Sequence, residues 1–330
     1  MSAVAFDYTP IPERLVADLD MDARPEFGER VSRRLAAFAN VAPPRSNSDG
    51  ERETIGGTEV IHRFVEAPGD SETLRWHLVE VGAGEPVVFL HGLPDSWFMW
   101  HRQLDAFAST HRVIAVDLKG YGQSDKRTGD YRAPGVAEQL LALLDVLGLE
   151  EFNVVAHDRG AVLADHLGAM APSRVLGYVR SEQHLWHFHP DLAPQQLLFT
   201  DPARTSVLAE PAVLVVAAYL LLCAKPVADA DLARTIQEWS HPQINWAVPR
   251  YFNSSSFRQE WIDRRTRLIE RWDFPVLVLQ GARDPRQPRE FYEGVDCHLP
   301  DGRVAFVDAG HFCVLENPAE TTAAIASFIT

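Results

Sequence analysis

Val154-Val155-Ala156-His157-Asp158-Arg159-Gly160-Ala161 is the stretch whose reading decides the fold. The apolar run Phe152 to Ala156 predicts a buried strand, and the residues from Arg159 to Met170 predict a helix. Asp158 sits between them. A tight strand-to-helix turn lifts its carboxylate off the sheet edge at the positive end of a helix. That is the shape of a nucleophile elbow, with aspartate where serine is usual. Asp before a helix is also a common N-cap. Cap and nucleophile are both open on these residues alone.

Working outward, the chain alternates strands and helices. Strands are expected at Ile61–Glu66 and Arg75–Val81, paired antiparallel through the short Pro68-Gly69-Asp70 connection. Pro86–Leu90, Val113–Val116, Val175–Arg180, Pro275–Gln280 and Arg303–Val307 follow as further strands. Helices are expected from Ser96 or Trp97 to Phe107, over Ala137–Leu147 and over Pro318–Ile329. This alternation predicts an α/β protein with a mostly parallel central sheet flanked by helices. Ligands in such folds bind beyond the carboxyl ends of the strands, where His91, Asp117 and Asp158 fall.

The alternation stops over residues 182–271, which are rich in Trp, His, Leu and Pro and read as a mainly helical lid inserted after the sixth strand. The core is therefore expected over 61–181 and 272–330. Residues 1–60 read as an N-terminal arm, with a helix over Glu26–Ala39 and a polar linker at 43–50. The arm's role stays open between packing on the core, covering a pocket and joining a homodimer.

The totals exclude several classes. The 330 residues are 46% hydrophobic and carry a formal charge of −15. That charge disfavours nucleic acid and anionic membrane surfaces as partners. The three cysteines, Cys223, Cys297 and Cys313, have no metal-ligand or disulfide spacing and read as free thiols of a cytoplasmic protein. No signal-peptide pattern opens the chain. The apolar run Ala212 to Ala224 is too short for a bilayer span of about 20 residues and reads as a buried helix. No metal cluster or dinucleotide glycine motif is seen, so no metal and no cofactor are expected.

Three strand ends carry groups of a charge-relay kind: Asp158; Asp284 in Gly281-Ala282-Arg283-Asp284-Pro285; and His311 in Asp308-Ala309-Gly310-His311. Asp284 alone is a good turn residue before proline. Together with His91-Gly92-Leu93-Pro94, Asp117-x-x-Gly120-x-Gly122-x-Ser124 and His157-Asp158-Arg159-Gly160, the pattern resembles the α/β-hydrolase fold. Within it, the chain looks like the epoxide hydrolase and haloalkane dehalogenase branch.

The resemblance implies that Asp158 attacks a saturated carbon to form an ester. His311 would activate water against that ester, and Asp284 would orient the imidazole. The amides of Leu93 and Arg159 would form the oxyanion hole. Tyr251, late in the lid where the second acid tyrosine of such enzymes is expected, would protonate an opened epoxide; no clear first lid tyrosine is visible, with Trp186, His187 or His189 to line that side and Tyr219 inside the apolar run. Trp186, Trp246 and Pro94 are expected to bind a sizeable hydrophobic substrate, as part of a lid surface with Phe188, Leu197, Leu198, Phe199, Trp239 and Phe252. Related haloalkane enzymes carry Trp after the nucleophile and often Asn in the His-Gly loop; this chain has Arg159 and Leu93. The Asp158-Arg159 pair resembles fluoroacetate dehalogenases, but their second arginine is replaced by Val162. Glu182, just after the sixth strand, is the alternative to Asp284. The expected activity is epoxide hydrolysis, with dehalogenation by the same ester, a non-hydrolytic enzyme and a ligand-binding protein as alternatives.

Overall fold

The computed structural model describes residues 25–127, 129–182 and 210–329. Nine strands form one sheet: β1 Arg52–Ile55, β2 Thr58–Pro68, β3 Thr73–Val81, β4 Glu85–Leu90, β5 His111–Val116, β6 Phe152–His157, β7 Val175–Ser181, β8 Val276–Gly281 and β9 Arg303–Val307. Their order is β1-β2-β3-β5-β4-β6-β7-β8-β9. The first three strands meander antiparallel, and β3 pairs antiparallel with β5. From β5 to β9 every pairing is parallel.

Burial explains the sequence pattern. Every residue of β6 and β8 is buried, because helices cover both faces, so these strands read as continuous apolar runs rather than alternating ones. Helix α1 Pro25–Leu35 packs mainly on the insertion helix Pro211–Leu222, and the covering helices are α2 His101–Phe107, α3 Ala133–Val146 and α4 Arg159–Met170. Among the described residues of the insertion, α5 Pro211–Leu222, α6 Asp229–Trp239, α7 Ile244–Ser254 and α8 Phe257–Asp263 follow. The chain closes with α9 Cys313–Glu316 and α10 Pro318–Ala326. The run read as a buried helix is α5, with Leu214, Val215, Val216 and Tyr219 buried. No helix among the described residues is long and apolar enough to cross a membrane.

The arm expected over 1–60 stops earlier. Residues 52–55 form β1, and β2 already starts at Thr58, with Ile55 paired to Thr58 across a tight hairpin at Gly56 and Gly57. This edge hairpin alternates exposed and half-buried residues, so it lacks the apolar run that marks the inner strands. With it counted, the insertion follows the seventh strand. Val31 and Phe38, on the expected arm helix, are buried against the core, and Leu35 packs beside them. That helix breaks after Leu35 into a 3-10 turn over Ala36–Phe38.

The topology sets the site. β4 passes the chain to β5 on one side, and β6 passes it to β7 on the other. The crevice between the carboxyl ends of β4 and β6 is therefore a topological switch point. The insertion is tied to the core by a buried and a half-buried ionic contact. Arg264, beyond α8, pairs with Asp165 of α4, which also holds Arg180 of β7 at 2.9 Å. Arg234 of α6 reaches Glu53 of β1 at 2.8 Å.

Candidate active site

Asp158 ends β6 in a strained conformation, with φ 48° and ψ −116°. Its side chain makes no cap bond to its own helix. The backbone C=O accepts the first helical bonds, from Ala161 and Val162, while the carboxylate turns to β4, where the Leu93 amide donates to Oδ1 at 3.1 Å. Two glycines make the approach possible. A Cβ on Gly92 would lie 2.4 Å from the Asp158 Cβ, and one on Gly160 would lie 2.4 Å from the Leu90 carbonyl oxygen. A positive φ at a non-glycine residue costs about 1–3 kcal/mol and persists where surrounding structure enforces it.

The His91-Gly92-Leu93-Pro94 loop is pinned from behind. His91 donates Nδ1–H to the Gly92 carbonyl at 2.9 Å, and its Nε2 accepts the Leu118 amide at 3.0 Å. Those partners fix one tautomer, and burial pushes the imidazole pKa down. Asp117 is likewise structural: it accepts the Trp97 and Gln123 amides and His77 Nδ1 at 3.0, 2.9 and 2.7 Å. The Leu93–Pro94 peptide is cis.

His311 follows β9. Its Nδ1 lies 2.8 Å from Asp284 Oδ2 and 3.8 Å from Glu182 Oε2, so Asp284 is the carboxyl hydrogen-bonded to the ring. Its Nε2 faces Asp158 Oδ2 at 3.9 Å, too far for a hydrogen bond. Burial disfavours the imidazolium, but the Asp284 charge and hydrogen bond prevail and raise the His311 pKa. His157, stacked edge-on at 5.1 Å, is pushed down to about 4 by burial and by His311, and its Nε2–H donates to the His311 carbonyl. Asp284 Oδ1 accepts the Arg286 and Gln287 amides at 2.7 and 3.1 Å. Glu182, Asp284 and His311 lie close enough to suggest a metal trio. However, Glu182 accepts the Gly281 amide at 2.6 Å and Gln280 Nε2 at 2.5 Å. These N–H donors hold Glu182 in place beside the His311–Asp284 pair.

Arg159 does not project an available cation. Its two Nη atoms meet the two carboxylate oxygens of Glu260 on α8, both at 2.8 Å, and Ser255 donates to Glu260 at 2.7 Å. The pair is buried, with the guanidinium 5.2 Å from the centre of the Phe252 ring. This planar, bidentate geometry is the strong form of a charge-assisted hydrogen bond.

The other expected site residues divide. Tyr251 is buried, but its hydroxyl donates to the Lys119 carbonyl at 2.7 Å, within a cluster with Tyr121 and Tyr131. Trp246 corrects its expectation. It is 37% exposed, stacks under Arg250 at 3.3 Å and lines an outer groove with Glu72, Lys126 and Arg127. Facing outward on α7, it leaves the inward face to Tyr251 and Phe252. Trp186, His187, Phe188, His189, Leu197, Leu198 and Phe199 lie outside the described residues.

Sequence reasoning passed over Asp95. It is buried, and Tyr219 of α5 donates to its Oδ1 at 2.7 Å. Burial pushes the Asp95 pKa up to about 7, with Asp158 adding to the rise. The Tyr219 ring stacks flat on Phe312, the neighbour of His311, at 4.0 Å. The signal was present: Asp95 directly follows the His-Gly-Leu-Pro loop, and Tyr219 carries the one hydroxyl of an apolar helix.

A strand-turn-helix elbow carrying an acid, a histidine after the last strand, a second acid after the one before it and a helical insertion over the sheet define the α/β-hydrolase fold. The family profile described as the alpha/beta hydrolase fold matches residues 85–221. The chain is similar to an Epoxide hydrolase 2 of Siraitia grosvenorii, at 35% identity over 122 residues, covering 36% of this chain and 39% of that protein. It is also similar to a haloalkane dehalogenase of Mesorhizobium japonicum, at 40% identity over 142 residues, covering 41% of this chain and 45% of that protein. These matches span less than half of either relative. A solved Vigna radiata epoxide hydrolase mutant superposes with a TM-score of 0.68 at 24% identity, covering 82% of this chain and 98% of that one, which is a likeness of fold.

Proposed function

We propose that the protein is an epoxide hydrolase that opens a sizeable, neutral, hydrophobic epoxide through an ester on Asp158. One observation carries the reading: an elbow carboxylate with one oxygen held by the Leu93 amide and the other facing His311. Epoxide hydrolases among the similar proteins support it. Oδ1 is tied to Leu93, so Oδ2 is the attacking atom. Its lone pair forms the bond to a ring carbon, the carbon–oxygen ring bond breaks, and the ring oxygen leaves as an alkoxide. Oδ1 then becomes the ester carbonyl oxygen, already beside a donor. The Arg159 amide is the second oxyanion donor; such a group contributes roughly 3 kcal/mol.

In the second half-reaction His311 Nε2 takes a proton from water, and the hydroxide attacks Cγ of Asp158. Nδ1–H stays on Asp284, which stabilises the imidazolium. On collapse the ester bond breaks, the imidazolium gives its proton to the departing alcohol oxygen, and the proton of the new Cγ hydroxyl returns to the lid donor that protonated the alkoxide, leaving the carboxylate, the diol and a neutral histidine. Atoms and protons balance with no cofactor.

The alkoxide needs a proton. We assign it to Tyr219, whose ring packs on Phe312 and whose partner Asp95, when protonated, can donate to the phenol oxygen and free its O–H, whereas the carbonyl partner of Tyr251 can only accept. Tyr251 would first have to release the Lys119 carbonyl. The buried Phe252, Trp239 and Phe312 support an apolar substrate. The Arg159–Glu260 pair supports a neutral one, since its charges cancel. Dehalogenation by the same ester is the second reading, favoured by likeness to the Mesorhizobium enzyme.

Single turnover in ¹⁸O-labelled water tests the mechanism. The label is expected in the peptide containing Asp158, while the first diol carries unlabelled oxygen. Label entering the diol in that first turnover would show direct attack by water. Diol from an epoxide panel, against halide from a haloalkane panel, separates the two readings.

A further inference from the structure

Two buried acids face the same side of His311. Asp284 Oδ2 is 2.8 Å from Nδ1 and Glu182 Oε2 is 3.8 Å from it. One oxygen of each carboxyl and the ring nitrogen all lie within 4.8 Å of one another. Two ionised carboxylates are acceptors only, so two buried ones this close need a proton on one of them. Burial of both groups also forbids two like charges at this separation.

The surrounding donors decide where the proton sits. Asp284 accepts two backbone amides, from Arg286 and Gln287, and the His311 ring, with Gln280 Nε2 farther away at 3.4 Å. Glu182 accepts one amide, from Gly281, and Gln280 Nε2. The richer set, including the group that becomes a cation, stabilises the charge on Asp284. Glu182 is also held in a left-handed conformation, φ 55°, where a side chain is rare. Strain of this kind persists where its surroundings enforce it. Gln287 donates to the Glu182 carbonyl at 2.8 Å and Tyr292 donates to Gln287, so the same cluster clamps both acids.

We propose that the acid arm of this relay is a carboxyl pair sharing one proton, in which Glu182 is the neutral member and positions Asp284. Its O–H points at Asp284, leaving one negative charge for the imidazolium. If Asp284 loses its charge, Glu182 can ionise and take over the ring nitrogen. The inference rests on the ester reading for its kinetic readout, and its spectroscopic readout is independent of it.

The test has two arms. Infrared spectra of the wild-type protein at about pH 9, where Asp95 is ionised, are expected to show a protonated carboxyl stretch that Glu182→Gln removes. Absence of that band in the wild type overturns the proposal, whatever the variants do. In kinetics, Glu182→Gln replaces O–H by N–H and should leave the acid limb of the pH profile in place. An ionised Glu182 would instead move that limb by about a unit or more when removed. Asp284→Asn should retain at least about 10-fold more activity than Asp284→Asn/Glu182→Gln. Equal activities overturn the takeover. If the Asp158 ester itself failed to form, the infrared result would still decide the proton's place.

Discussion

The Leu93 amide, not the helix that follows, holds the Asp158 carboxylate. The N–Oδ1 distance is 3.1 Å, and the aspartate side chain makes no cap bond. The reading of Asp158 as a simple helix cap therefore fails on geometry, although the residue stands at the N-cap position. The contact depends on the bare backbone of Gly92. Gly92→Ala places a methyl group 2.4 Å from the Asp158 Cβ, so one strand end must move. A displacement near 1 Å at a reacting atom costs about 100-fold. Pre-steady-state alkylation by Gly92→Ala is expected to slow by at least that factor, with ester hydrolysis measured in the same experiment.

The Arg159–Glu260 pair predicts a stability asymmetry. Glu260→Ala leaves a buried guanidinium without its counter-ion and should destabilise the fold by about 3–5 kcal/mol in urea unfolding. The double variant Arg159→Met/Glu260→Met removes both charges and should recover most of that loss. Equal losses in the single and double variants would mean the pair is not the source.

Two pH dependences follow with opposite causes. His311 acts as a base only when neutral, and Asp284 raises its pKa above the ordinary 6.5. Ester hydrolysis should therefore fall as pH drops, along an acid limb above 6.5. Asp95 works through stability. Its folded pKa, about 7, exceeds its ordinary 3.8, so between those values the folded state holds a proton that the unfolded state has lost. Stability from this group falls as pH rises through that window and stays low above it. Asp95→Asn should raise the melting temperature at pH 8 relative to wild type and flatten the profile across the window.

The two candidate proton donors are separated by their partners. Tyr219→Phe should lower the alkylation rate with epoxides by about 100-fold or more. Tyr251→Phe, which removes a bond to the Lys119 carbonyl, should cost mainly stability, about 1 kcal/mol. A larger rate loss for Tyr251→Phe would return the acid role to it.

The parallel half of the sheet was legible in the sequence because its strands are buried on both faces and its loops carry the chemistry. Asp158, Asp284 and His311 were recognisable as strand-end groups, and the structure brings them together. The hairpin at 52–60 was not legible, since a half-exposed edge strand has no apolar run. Tyr251 and Trp246 were placed by position along the insertion, but helix rotation decides which way a side chain faces. α7 turns Trp246 outward and the Tyr251 hydroxyl toward Lys119. Glu260 lies about 100 residues from Arg159, a pairing that no local pattern reveals.

The most direct test of the central claim uses His311→Gln, which keeps the ring-sized side chain but removes the base. Challenged with an epoxide that the wild type converts, this variant should alkylate and then stall, and mass spectrometry should find the substrate's mass added to the peptide containing Asp158. An adduct on another residue, or none while the wild type turns over the same epoxide, would contradict an ester on Asp158.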